Sequence, residues 1–226
     1  MTAMGLPFSS EQFFDVFGAY NAAVWPAVVV LWLATLFLIV SLGRGRANAV
    51  AIGMLASIHW LWSGVVYHAL FFTAINTAAW VFAAVFVLEG IAFGWFCVRR
   101  RLTFRFDRTL RSRVGAFFLV YSLAYPFLAV LSGHQLLRVP LFAVPCPTTI
   151  FTVGLLLNGH RVPASLAAIP MLWSIVGGTA AFAFGVTPDL MLLAAVVALL
   201  MLWKLPSIQK NRRLPYTAAQ GHASRT

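Results

Sequence analysis

The sequence is poor in charge: only 9% of its 226 residues are Asp, Glu, Lys or Arg, where a soluble domain carries about 25%. That deficit excludes a soluble fold, because a chain that is 62% hydrophobic would keep too little polar surface to stay in solution. Acids are scarcest. Five Asp and Glu are too few for paired acid–base chemistry, and no Ser–His–acid set, HExxH motif or phosphate loop is present, which argues against an enzyme. Cysteine is nearly absent. Cys97 and Cys146 fall near opposite membrane faces in the topology derived below. A disulfide needs Cα atoms within about 7 Å and the hydrocarbon core is about 30 Å thick, so the two do not pair. Residues 1–22 hold no Lys or Arg. They lack the basic region of a cleaved signal peptide, and the first span is expected to be retained.

What fills the chain is apolar runs, continuous and not alternating, which favours membrane-spanning helices over a barrel. Seven spans are expected, at 23–42, 48–70, 75–97, 114–132, 143–158, 163–183 and 187–205. The gaps are short, so consecutive helices should pack as antiparallel neighbours in one all-α bundle. Basic residues fall in alternate gaps: Arg44 and Arg46 in the first, seven arginines in the third, Arg161 in the fifth, and Lys204, Lys210, Arg212, Arg213 and Arg225 from the end of the last span onward. The N-terminal segment, the second gap and the sixth gap have none, and the fourth has only Arg138. The positive-inside rule then puts the N-terminus outside and the C-terminus in the cytoplasm. The same loops account for the net charge of +11, so nucleic acid is not an expected partner. The fifth span is the weakest, being short and beginning at Pro145 and Pro147. Making it re-entrant would leave six spans and move the basic tail outside, so the charge pattern favours seven.

Three regions follow: an interfacial amphipathic segment over 1–22, the seven-helix domain over 23–205, and a basic cytoplasmic tail over 206–226 that is polar, aperiodic and expected to be disordered. In the first, Ser9 and Gln12 have capping-box spacing. Phe13, Phe14 and Phe17 share one face, so this short helix is expected to lie flat in the outer interface or to gate an outer cavity. In the third gap, Arg99, Arg100, Arg101, Arg105, Arg108, Arg111 and Arg113 are expected to anchor the topology against anionic lipid headgroups, with Leu102, Phe104, Phe106 and Leu110 dipping into the interface. The alternative is a docking surface for an acidic partner.

Ionisable residues within spans are functional candidates, because burying them is costly. His59 lies fifteen residues before the hairpin turn at Ala74 and Glu89 fifteen after it. At a constant helical rise they sit at equal depth, as a proton-coupling pair or a structural hydrogen bond. Gly90 and Gly94 follow in small-xxx-small spacing, a close-packing face for another helix or a second copy of the chain. A second group gathers at the outer face: Tyr67, His68, Asn76, His134, Cys146, Thr148 and Thr149. The helix start at Pro147, with its threonines, suits an anion or polar solute. His68, His134 and Cys146 alternatively offer N and S ligands for a metal. Cys146 as a plain packing residue is the third reading. His59 and His68 lie about 180° apart on one helix, so they cannot grip one haem together.

The segments Pro7 to Phe17, Tyr20 to Pro26, Trp60 to His68 and Val144 to Thr152 resemble an uncharacterised bacterial multi-pass membrane protein family (domain of unknown function 6064). The resemblance covers nearly the whole chain. It implies an inner-membrane protein of about this size and no particular reaction or cofactor; permease labels on some relatives point to transport. The functional expectation is a permease-like protein that binds or carries a small solute or ion. A non-catalytic sensor or partner subunit is the alternative, and a metal- or haem-linked membrane protein the third reading.

Overall fold

The computed structural model describes residues 7–160 and 162–202. Arg161, the end of the expected seventh span and the tail 206–226 lie outside the described residues, as do Lys204 and His222. The chain forms α1 (Ser10–Gly43), α2 (Ala49–Trp62), α3 (Ala79–Val98), α4 (Leu110–Leu131), α5 (Pro145–Leu157), α6 (Ala168–Phe184) and α7 (Met191–Leu202). A π-helix, Ser63–Phe71, continues α2, and short 3-10 turns lead into α6 and α7. Five helical stretches are long and apolar enough to cross a membrane: Ser10–Gly43, Ala49–Ala74, Ala79–Val98, Leu110–Leu131 and Ala164–Phe184. Pro145–Leu157 and Thr187–Met201 are apolar but shorter.

Side chains are distributed inside out relative to a water-soluble fold. Trp25, Leu33 and Phe37 of α1, Trp80, Leu88 and Trp95 of α3, Phe117 and Phe127 of α4, and Phe182 of α6 are exposed. Asn21, Thr35, Ser57, His59, His68, Glu89 and Asp189 are buried. That arrangement suits lipid as the surrounding medium.

The capping box forms as the spacing requires: Ser9 Oγ accepts from Gln12 N, and Gln12 Oε1 accepts from Ser9 N. The helix it starts does not stop before the first span. It runs without a break through Pro26 for 34 residues, about 50 Å at 1.5 Å per residue. Residues 10–22 are therefore no separate flat segment. Phe13 stacks on Phe184 at 4.3 Å and Phe17 on Tyr67 at 5.2 Å, so their rings meet protein.

Helix α5 is the axis of the bundle. All of its 13 residues except Cys146 are buried, as expected of a helix apolar on every side. Its length, about 20 Å, falls short of the hydrocarbon thickness, and non-helical backbone flanks it at both ends. Such backbone is tolerated in lipid only where protein covers it and satisfies its polar groups. At the Cys146 end, Asn21 Nδ2 donates to Leu137 O at 3.0 Å and Val139 O at 2.9 Å. The Tyr20 and Ser63 hydroxyls donate to the carbonyl of Ala143 at 3.3 and 3.2 Å, which holds Ala143 in a left-handed conformation (φ 62°). At the other end, Arg105 N donates to Asn158 O and His160 N to Thr103 O, each at 2.9 Å.

That second end is rich in arginine. Arg44 of the α1–α2 turn shares a surface groove with Arg105 and Arg108. Arg99, Arg100, Arg101, Arg105, Arg108 and Arg113 are exposed, as a lipid-facing anchor requires, whereas Arg111 is buried. Its Nη2 donates to Leu156 O at 3.0 Å and Gly159 O at 2.7 Å, closing the C-terminus of α5. Arg111 is thus an internal brace and not a lipid anchor. Leu102 and Phe104 likewise join the core: the alternation of Arg101, Leu102, Thr103, Phe104 and Arg105 is that of an extended segment with one covered face, bridged at Phe104 to Gly159. At the opposite end Arg138 pairs with Asp15, so the one basic residue out of pattern carries a counter-charge.

Helices touch through glycine. A Cβ on Gly154 would lie 2.9 Å from Gly115 O and 2.8 Å from Leu119 Cγ. On Gly90 it would lie 2.7 Å from Leu61 Cγ, and on Gly94 3.2 Å from Ser57 Oγ. The Gly90–Gly94 face is therefore occupied by α2 of the same chain, and it leaves no room for a second copy there.

Candidate functional site

A cavity of about 330 Å³ lies at the Cys146 end. It is enclosed by the first turns of α1, the π-helix, the start of α5, α6 and the turn before α7. Each wall has a local cause. The π-helix widens α2 and turns both Tyr67 and His68 inward, and such segments often occur at functional sites. Gly185 (φ 68°) ends α6 in the left-handed conformation that glycine adopts without steric cost. The chain then reverses into the turn Thr187–Leu190, with Pro188 near its start. This places Asp189 inside. The Tyr125 hydroxyl donates to Asp189 Oδ1, and the Cys146 thiol donates to the same carboxylate. Gly177 packs closely here: a Cβ there would lie 2.7 Å from Leu192 Cδ1, 3.3 Å from Trp173 Nε1 and 3.5 Å from Cys146 Sγ.

His68 sits among aromatic rings, with centroids of Phe86 at 4.8 Å, Tyr67 at 5.3 Å, Trp173 at 5.3 Å and Phe82 at 5.6 Å. It is fully buried, and among the described residues neither ring nitrogen has a hydrogen-bond partner. A buried polar group left unpaired costs about 1–3 kcal/mol, and native structures seldom keep one without a reason. The rest of the lining is mostly apolar and aromatic, with Phe8, Phe13 and Phe17 from the start of the chain; among the described residues it contains no Lys or Arg.

Of the residues singled out in the sequence, Tyr67, His68, Asn76 and Cys146 line this cavity. Thr148 and Thr149 do not. Thr148 Oγ1 bonds Ser63 Oγ at 3.1 Å, and Thr149 Oγ1 donates to Pro145 O at 2.8 Å. Both hydroxyls are thus engaged within the protein and turned to other groups than the cavity. His134 lies elsewhere, against Phe14 at 5.2 Å, in a shallow pocket with Glu11 and Arg138. The metal set His68, His134 and Cys146 is therefore split between two places. Among the described residues, no group of three or more His, Cys, Asp or Glu could hold a metal ion.

His59 and Glu89 are both buried, but no hydrogen bond or ion pair joins them among the described residues. His59 Nε2 bonds Thr35 Oγ1 at 2.9 Å, with Phe142 and Phe151 against its ring. The face of α2 that meets α3 carries Ser57 and Leu61, and His59 turns instead toward Thr35 and Phe151. Among the described residues Glu89 Oε1 has no hydrogen-bond partner. Trp60 and Trp62 are held within the bundle: their indole N–H groups donate to Thr152 Oγ1 at 2.9 Å and Tyr20 OH at 2.7 Å.

Sequence reasoning missed Asp189, Tyr125 and Trp173. The signal for Asp189 was present, since it is an acid within the expected seventh span, directly after Pro188. Tyr125 and Trp173 carry no local mark; only the packing of α4 and α6 brings them to the cavity.

The segments whose resemblance was noted converge on this region. Tyr20, Asn21, Ser63, Tyr67, His68 and Cys146 either line the cavity or hold the backbone beside it. A family model spans residues 10–213. The chain belongs to the family of unknown function DUF6064. No curated protein and no solved structure matches the chain.

Proposed function

We propose that this member of the family is a seven-span protein of the bacterial inner membrane, N-terminus outside, that binds and carries a small solute in the cavity at the Cys146 end. The observation that carries the reading is His68: a buried histidine with two unpartnered ring nitrogens, facing a cavity large enough for a small molecule. Ligand sites are typically concave and mostly apolar, with a few convergent polar groups. Here those groups are His68, Asn76, Cys146 and Asp189. Two features support the orientation: the exposed arginines collect at one end, and Asp15 accompanies Arg138 at the other. At the arginine end the exposed guanidinium groups meet anionic lipid headgroups. The short buried α5, flanked by non-helical backbone, is the kind of interrupted element around which transporter sites are built.

Proteoliposomes offered a panel of small amines, alcohols and carboxylates test this reading. Solute-dependent flux that an Ala180→Phe substitution in the cavity wall removes supports a permease. Saturable binding in nanodiscs without flux supports the sensor or partner-subunit alternative. Neither flux nor binding for any class retires the cavity as a site.

A further inference from the structure

The charge of the occupant can be inferred from the walls. Asp189 is an acid buried within an apolar bundle, and its two side-chain partners, Tyr125 and Cys146, are neutral donors. Among the described residues no Lys, Arg or His forms an ion pair with it. An isolated carboxylate is strongly disfavoured in such surroundings and needs either a proton or a counter-cation. Among the described residues none supplies a counter-cation to it, so a ligand can. The same cavity is lined by the rings of Tyr67, Phe72, Phe82 and Trp173; aromatic π faces attract cations more strongly once water is removed. His68 adds a ring nitrogen able to accept a hydrogen bond from an ammonium N–H. The remaining wall, including Val176 and Ala180, is apolar and suits a lipophilic body. An anion would meet the Asp189 carboxylate with nothing to balance it.

We propose that the cavity selects a small lipophilic ammonium, its charged head between Asp189 and His68 and its body against the aromatic and apolar wall. This rests on the cavity being a binding site, as argued above, and adds the class of molecule.

The test is a titration of the full chain in nanodiscs, at neutral pH, with three probes of similar shape: phenethylamine, which is then an ammonium, phenethyl alcohol and phenylacetate. The expected result is tightest binding of the ammonium, by about tenfold or more over the alcohol, with phenylacetate weakest. In Asp189→Asn the ammonium should lose that advantage while alcohol binding stays. If Asp189→Asn does not fold, His68→Phe replaces it, since it keeps ring volume in an aromatic surround; ammonium binding should then weaken several-fold against the alcohol. Equal binding of alcohol and ammonium in the native chain overturns the ammonium assignment and leaves the cavity as a binding site. An ammonium preference that survives Asp189→Asn also overturns it. Absence of binding by all three probes overturns it as well, and the solute panel above then decides whether the cavity itself falls.

Discussion

Two residues at the arginine-rich end show how much of this fold rests on single side chains. Arg111 donates to the carbonyls of Leu156 and Gly159. Leu156 O also accepts from Gly159 N at 3.1 Å, so the guanidinium matters most at Gly159 O. A buried acceptor left unpaired costs about 1–3 kcal/mol. Arg111→Met should therefore lower unfolding stability in detergent by about 1–3 kcal/mol, while Arg108→Ala, at an exposed site, should change it little. Lysine at 111 should recover only part of the loss, since it lacks the planar fork that reaches both carbonyls. Asp107, in the neighbouring loop, has its carboxyl held below the usual aspartate range. Burial alone would raise it, but the Thr109 hydroxyl and amide, with His160 and Arg111 nearby, outweigh burial. A depressed carboxyl stabilises the folded state at pH above its unfolded value of about 4, and that contribution is lost as pH falls through the lower folded value. Asp107→Asn should thus flatten the acid side of the melting temperature–pH profile and leave its neutral slope unchanged. Neither role was legible in the sequence. One arginine among seven looks like its neighbours until the fold shows which one turns inward.

At the scale of elements, the helices were legible and their faces were not. Long apolar runs locate the spans because lipid forces backbone hydrogen bonds to close within each helix. The same pressure makes helix surfaces apolar on every side, which erases the amphipathic stripe that would say which face meets which neighbour. That His59 turns to Thr35 and not to Glu89 was therefore not readable. Glycine spacing carries part of the missing information: Gly90 and Gly94 marked a packing face correctly, and the neighbour is α2. Gly154 tests this more sharply. A methyl there meets backbone at Gly115 and the Leu119 side chain, and overpacking of this kind costs about 1–3 kcal/mol. Gly154→Ala should lower the melting temperature clearly, whereas Gly43→Ala, with nothing within 4 Å of the new Cβ, should leave it near the native value.

At the scale of the whole molecule, composition points to a membrane, and the exposed apolar side chains, with several polar ones buried beneath them, suit that reading. The candidate site was partly legible, because Tyr67, His68, Asn76 and Cys146 stood out in the sequence and meet at one cavity. The chain reversal before its decisive acid, Asp189, falls in the expected gap between 183 and 187, but no periodicity announces that the turn buries the carboxylate against Tyr125. The central claim is that His68 and Asp189 belong to a ligand. The most direct measurement is an experimental structure of the chain in lipid nanodiscs with phenethylamine present. The account predicts non-protein density in the cavity, within hydrogen-bond distance of a His68 ring nitrogen and the Asp189 carboxylate. A cavity closed by its own side chains, with the His68 nitrogens bonded to protein groups, would contradict it.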